Sequence, residues 1–91
     1  MSVKVRAQEP LRRLLENQPV VEVESRTVIE VIEELQRHYP GVRDRVLDDH
    51  GAVRGFVNIY VNEENIRFLQ DAQTPLKDGD EVSIVPSNAG G

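Results

Sequence analysis

Thr27-Val28-Ile29-Glu30-Val31-Ile32-Glu33-Glu34-Leu35-Gln36-Arg37-His38-Tyr39-Pro40-Gly41 reads as one capped amphipathic helix. Val28, Ile32, Leu35 and Tyr39 recur at i, i+4, i+7 and i+11, with Ile29 and Val31 beside them. That spacing makes one broad apolar face, and Glu33, Glu34 and Arg37 fall on the face left for water. Thr27 and Glu30 fit a capping box, in which the Thr27 hydroxyl accepts the Glu30 N–H and the Glu30 carboxylate reaches back. Pro40-Gly41 stops the helix.

Outward from this helix the period changes from 3.6 to 2. On its N-terminal side Val21 and Val23 alternate with Glu22 and Glu24, and Val3, Val5 and Ala7 alternate with Lys4 and Arg6. Each is a strand with one buried face. Between them Pro10 makes a break, Leu11, Leu14 and Leu15 form one short helical turn, and Asn17-Gln18-Pro19 is a loop. The connection is short enough for an antiparallel pair. On the C-terminal side, 42–47 forms another short turn and Asp48-Asp49-His50-Gly51 a polar loop. Residues 54–61 then alternate as a strand, with Val57, Ile59 and Val61 on one face and Phe56, Asn58 and Tyr60 on the other. Asn62-Glu63-Glu64-Asn65 is a turn, Ile66-Arg67-Phe68 a short strand or edge, and Asp78-Gly79-Asp80 a tight turn into a last strand through Val82, Ile84 and Pro86. The order strand, strand, helix, strand, short strand, strand is α+β: a mixed sheet with one main amphipathic helix across one face. The other face is partly open, and this alternation assigns it Lys4, Arg6, Phe56, Asn58, Tyr60, Ser83 and Val85. Residues 1–86 form the domain, and residues 87–91 a flexible tail without core residues.

Composition narrows the function classes. A chain of 91 residues makes one domain with a modest core and no room for a deep internal active site. It contains no cysteine, which removes disulfides, thiolate zinc sites and cysteine nucleophiles together. The formal charge of −5 disfavours nucleic acid as a partner, since phosphate contacts need a basic surface. No apolar run approaches a membrane span, and the N-terminus lacks the apolar core of a signal peptide. These features predict a soluble cytoplasmic protein.

Catalytic groupings are missing from the sequence: it has no G-x-S-x-G, P-loop or G-x-G-x-x-G. Asp48-Asp49-His50 supplies donor types for a divalent metal, but open metal sites need converging ligands and a second shell, so a solvated loop is expected there and no metal. Asp78-Gly79-Asp80-Glu81 lacks calcium-loop spacing and reads as turn chemistry, with Gly79 at positive φ. What remains is the end. The tail Ser87-Asn88-Ala89-Gly90-Gly91 follows the last strand directly and spans at most about 17 Å when extended. Glycine lacks Cβ, so such a tail can enter a channel too narrow for other residues and present its carboxylate in another protein's active site.

Leu76-Lys77-Asp78-Gly79-Asp80-Glu81-Val82, then Pro86, then Ala89-Gly90-Gly91, resembles the C-terminal signature of the MoaD/ThiS family of ubiquitin-like sulfur carriers. The capped helix and the strand Phe56-Val57-Asn58-Ile59-Tyr60-Val61-Asn62 also sit where that family has them. The run from Arg54 through Phe68 is most similar to carriers paired with a cysteine synthase. The resemblance implies a β-grasp fold and a carrier rather than an enzyme. It implies that an E1-like partner uses ATP to adenylate the carboxylate of Gly91, that sulfur displaces AMP to leave a thiocarboxylate, and that Ala89, Gly90 and Gly91 enter the partner's active site. A sulfur-accepting synthase would be the second partner, for cysteine or another small metabolite first and for molybdopterin second. No cofactor would be bound by the chain itself. Two alternatives stay open: a protein modifier forming isopeptides through Gly91, and a β-grasp interaction module with an idle tail. Phe56, Tyr60 and Val85 are the candidate docking residues for the activating enzyme, as aromatic and apolar anchors on a polar face.

Overall fold

A computed structural model describes residues 1–86. Ala89, Gly90 and Gly91, with the rest of the expected tail, lie outside the described residues. Strand β1 (Ser2–Ala7) is followed by a one-turn helix α1 (Leu11–Leu14), strand β2 (Val21–Glu24), the main helix α2 (Val28–His38) and a short helix α3 (Val42–Val46). Strand β3 (Val57–Val61) leads through a two-residue strand β4 (Glu64–Asn65) and two 3-10 turns, Ile66–Phe68 and Asp71–Gln73, to strand β5 (Glu81–Pro86). The five strands form one sheet in the order β2-β1-β5-β3-β4. β1 pairs antiparallel with β2 and parallel with β5, and β5 pairs antiparallel with β3, so the sheet is mixed as expected.

Alternation decides which face is covered. Val3 and Val5 of β1, Val57 and Ile59 of β3, and Val82 and Ile84 of β5 are at most 1% exposed. They pack with Val28, Val31, Ile32 and Leu35 of α2, each of which is fully buried. Burying one such side chain stabilises the fold by about 1.5–3 kcal/mol, so this layer holds the molecule together. The α2 cap forms nearly as the sequence suggests. The Glu30 N–H donates to Thr27 Oγ1 at 3.3 Å, but the Glu30 carboxylate accepts from the Arg26 N–H at 2.9 Å, one residue before the cap. Gly41 follows in the left-handed region at φ +105°, where an L side chain would be strained. Gly79 likewise takes φ +88° in the turn that launches β5.

The segment between α3 and β5 departs from the expected pattern. β3 begins at Val57, not at Arg54, because Gly55 and Phe56 form a turn. Ile66-Arg67-Phe68 is a 3-10 turn, not a strand: the Asn65 side chain accepts the Arg67 N–H at 2.9 Å and curls the chain. No helix among the described residues is long and apolar enough to cross a membrane.

Candidate functional site

The strand that carries the expected tail is central. β5 lies between β1 and β3, and its last residue, Pro86, pairs with Val57. A proline has no N–H to give the ladder, so it ends the strand. The Gln8 N–H donates to the Ile84 carbonyl at 3.2 Å and extends β1 alongside. The root at Pro86 is therefore fixed by two neighbouring strands and by the core residue Ile84 beneath them.

The uncovered face carries Lys4, Arg6, Asn58, Tyr60, Ser83 and Val85, as the alternation predicts. Glu81 joins them, and its carboxylate meets Arg6 Nε at 3.1 Å. Tyr60 lies opposite Ser83, and Val85 opposite Asn58, so Tyr60 and Val85 are diagonal neighbours on β3 and β5. Both are half-buried. Phe56 does not join them. It sits in the turn before β3, 46% exposed, and lines a groove with Pro10, Leu11 and Pro86 on the side of α1 and α3. Counting alternation back through 54–56 assumed an extended chain there, and the turn breaks that parity.

The residue responsible is Arg67, which the sequence reading passed over. Its guanidinium donates to Asn58 Oδ1 at 2.6 Å and to the carbonyls of Val57 at 3.0 Å, Gly55 at 3.2 Å and Arg54 at 3.3 Å. The planar fork of donors gathers the carbonyl oxygens of Arg54, Gly55 and Val57 into one cap, which a lysine could not do. The available signal was Gly55, since a glycine inside a strand pattern marks a break or a bulge.

The Asp48-Asp49-His50 loop uses its carboxylate internally. Asp48 Oδ1 accepts from the backbone N–H groups of His50 at 2.8 Å and Ala52 at 3.0 Å. These bonds, that of Ala52 foremost, hold the Asp48 carboxyl below its ordinary value, with the charges of His50 and Arg54 adding to the effect. No group of three or more His, Asp or Glu among the described residues is placed to hold a metal ion.

A carrier strand at the centre of a mixed sheet with one crossing helix can be compared with known proteins. The ThiS family matches residues 7–91. This chain belongs to the ThiS family. The sulfur carrier protein CysO of Mycobacterium tuberculosis is 39% identical over 93 aligned residues, covering 100% of both chains. A chain of the Amycolatopsis orientalis BexX/CysO complex superposes with a TM-score of 0.89 at 32% identity, covering 98% of this chain and 99% of that one. The small archaeal modifier protein 1 of Methanosarcina acetivorans superposes with a TM-score of 0.84 at 32% identity, covering 99% and 96%. The fold is the ubiquitin-like β-grasp that the resemblance implied. These ThiS-family relatives are carriers and modifiers by name.

Proposed function

We propose that this protein is a sulfur carrier whose reactive group is the carboxylate of Gly91. The supporting observation is full-length likeness to CysO, joined to a strand that ends five residues before Gly91 in the middle of the sheet. A carboxylate is a poor electrophile. An E1-like partner would let a carboxylate oxygen attack the α-phosphorus of ATP, with pyrophosphate leaving, to form an acyl-adenylate. Sulfide sulfur then attacks the carbonyl carbon and AMP departs, leaving a C-terminal thiocarboxylate. Its sulfur is a soft nucleophile held by a tether, and a synthase accepts it. The chain binds no cofactor in this scheme and catalyses nothing; ATP belongs to the activating enzyme. A partner that consumes ATP fits a cytoplasmic protein.

The acceptor reading follows the CysO likeness: an activated serine derivative, toward cysteine, ahead of molybdopterin. Ala89 and Gly90 supply the narrow backbone that a partner's channel requires. The likeness to small archaeal modifier proteins favours a second reading, in which the same activated carbonyl forms an isopeptide with a lysine of another protein. Intact mass after incubation with the E1-like enzyme of the same organism, ATP and sulfide separates the two. Oxygen-to-sulfur exchange at Gly91 is expected. Conjugates on other proteins without that exchange would favour the modifier. Deleting Gly91, or adding one residue after it, abolishes exchange without changing the unfolding midpoint; activity retained in either variant would sink the assignment of Gly91.

A further inference from the structure

The reach of the tail constrains what touches the domain. Residues 87–91 span at most about 17 Å from Pro86, even fully extended. Any enzyme holding Gly91 in its active site therefore rests its surface on the surroundings of Pro86. Those surroundings include two different surfaces: the open sheet face, with Tyr60 and Val85, and the groove on the other side of the rim.

The groove has a volume of about 280 Å³ and is lined by Pro10, Leu11, Phe56 and Pro86, with Arg45 and Arg54 at its edge. Leu11 is buried and belongs to the core, so the floor is rigid. Phe56 is exposed but set in position, because Arg67 clamps the carbonyls on both sides of it. An exposed aromatic in a fixed turn loses little freedom when it is covered, which is what a binding anchor needs.

Four arginines, Arg6, Arg13, Arg37 and Arg43, each meet a carboxylate within 4 Å. Among the described residues Arg45 and Arg54 meet none, as is also true of Arg12, Arg26 and Arg67, but these two stand together on the groove; Arg54 Nε donates to the backbone carbonyl of Asp44 at 2.9 Å. Asp44 is the one acidic residue of the lining, against two guanidinium groups, on a chain of formal charge −5. The lining itself thus carries two guanidinium groups against one carboxylate, with Asp48 close enough to feel Arg54 from outside it, and this balance favours an acidic partner surface over a basic one.

We propose that this groove is a docking site for the activating enzyme, which inserts an apolar side chain against Phe56 and Leu11 and sets flanking carboxylates on Arg45 and Arg54. The proposal rests on the reading that Gly91 is taken up by that enzyme. It divides the sequence-derived docking set in two: Phe56 contacts the partner on the helix side of the rim, and Tyr60 and Val85 belong to a separate surface.

The test uses the full chain with the E1-like enzyme of the same organism. Three variants are compared with wild type: Arg45→Glu with Arg54→Glu, Phe56→Ser, and Arg26→Glu. Arg26 lies at the opposite end of the sheet and, at half the charge change of the double variant, controls for charge reversal away from the groove. Each is first checked by thermal unfolding. The double charge reversal raises KM for activation by about tenfold or more, Phe56→Ser raises it several-fold, and kcat changes little in either. Arg26→Glu leaves KM near wild type, and added salt raises KM in wild type more than in the double variant. Unchanged KM in both rim variants, with wild type converted, overturns the proposal. Amide exchange of the carrier with the enzyme, ATP omitted, reads docking without chemistry. Protection at Phe56 and Arg45 supports the groove, and protection confined to β3 and β5 overturns it. Wild-type chain that shows rim protection but no oxygen-to-sulfur exchange would sink the carrier chemistry and leave the docking site standing.

Discussion

The layer formed by β1, β2, α2 and β5 and the connection between α3 and β5 hold their shapes by different means. The first is an area-burial structure. Its strands and helix place Val3, Val5, Val28, Val31, Ile32, Leu35, Val82 and Ile84 out of solvent entirely. The second buries little beyond Leu47, β3, Ile66 and Leu76, and is shaped by polar side chains that bind backbone: Asp48, Asn65, Arg67 and Thr74. Area burial is cooperative and indifferent to the exact contact, whereas each of these hydrogen bonds sets one local bend. Substitutions in the first region should therefore move global stability, and substitutions in the second should move a loop.

Leu35→Ala gives the largest effect. It empties the centre of the α2 contact and should cost about 2–5 kcal/mol, read as a lower denaturant midpoint with unchanged m-value. Arg67→Ala is smaller, roughly 1 kcal/mol, because its hydrogen bonds, apart from the part-buried one to Val57, are solvent-exposed and water replaces them. Its signature is local: amide exchange should rise around Gly55 and Phe56 while the core amides stay protected. A loss as large as that of Leu35→Ala would break the contrast between the two regions. Glu63→Gly should stabilise by roughly 0.5 kcal/mol, because the left-handed backbone there suits glycine and not a residue with Cβ. Asn62 and Glu63 both have positive φ, at 50° and 73°, in the turn between β3 and β4.

The smallest expected effect follows pH. The Asp48 carboxyl is held below its ordinary value in the folded chain by the Ala52 and His50 amides. Its contribution to stability is therefore fully present above the ordinary carboxylate range and is lost as pH falls through the depressed folded value. Acid titration followed at the Ala52 amide should show this bond failing. Asp48→Asn should flatten the acid limb, lowering stability slightly at neutral pH and leaving it nearly unchanged where the carboxyl is already protonated.

The same division explains what was legible in the sequence. Period-2 and period-3.6 patterns report burial, so β1, β2, α2 and β5 could be read from Val3, Val21, Ile32 and Ile84 with their neighbours. The 3-10 turns could not, since Asn65 and Thr74 shape the chain by single hydrogen bonds that leave no periodic trace. Counting two residues back from Asn58 puts Phe56 on the open face. That count fails because Arg67, nine residues further along the chain than Asn58, pulls the backbone into a turn. A long-range clamp of this kind has no local signal except Gly55. The tail lies outside the described residues, and its reading leans on family resemblance, since two glycines at an end are also what a frayed terminus looks like.

The position of β5 has one more consequence. It is the last strand in chain order, yet it sits between β1 and β3 and joins them. During synthesis the earlier strands must wait for it: β1 with β2, and β3 with β4, are two separate pairs until β5 emerges from the ribosome. Long-range parallel pairing of β1 with β5 is then the slow closing event. The segment that completes the sheet is also the one that leads to the proposed reactive end. A truncated or incompletely folded chain thus cannot offer a rigid Pro86 and its neighbouring groove to a partner. On the proposed chemistry, the topology makes completion of folding a precondition for charging, a proofreading step that needs no separate factor.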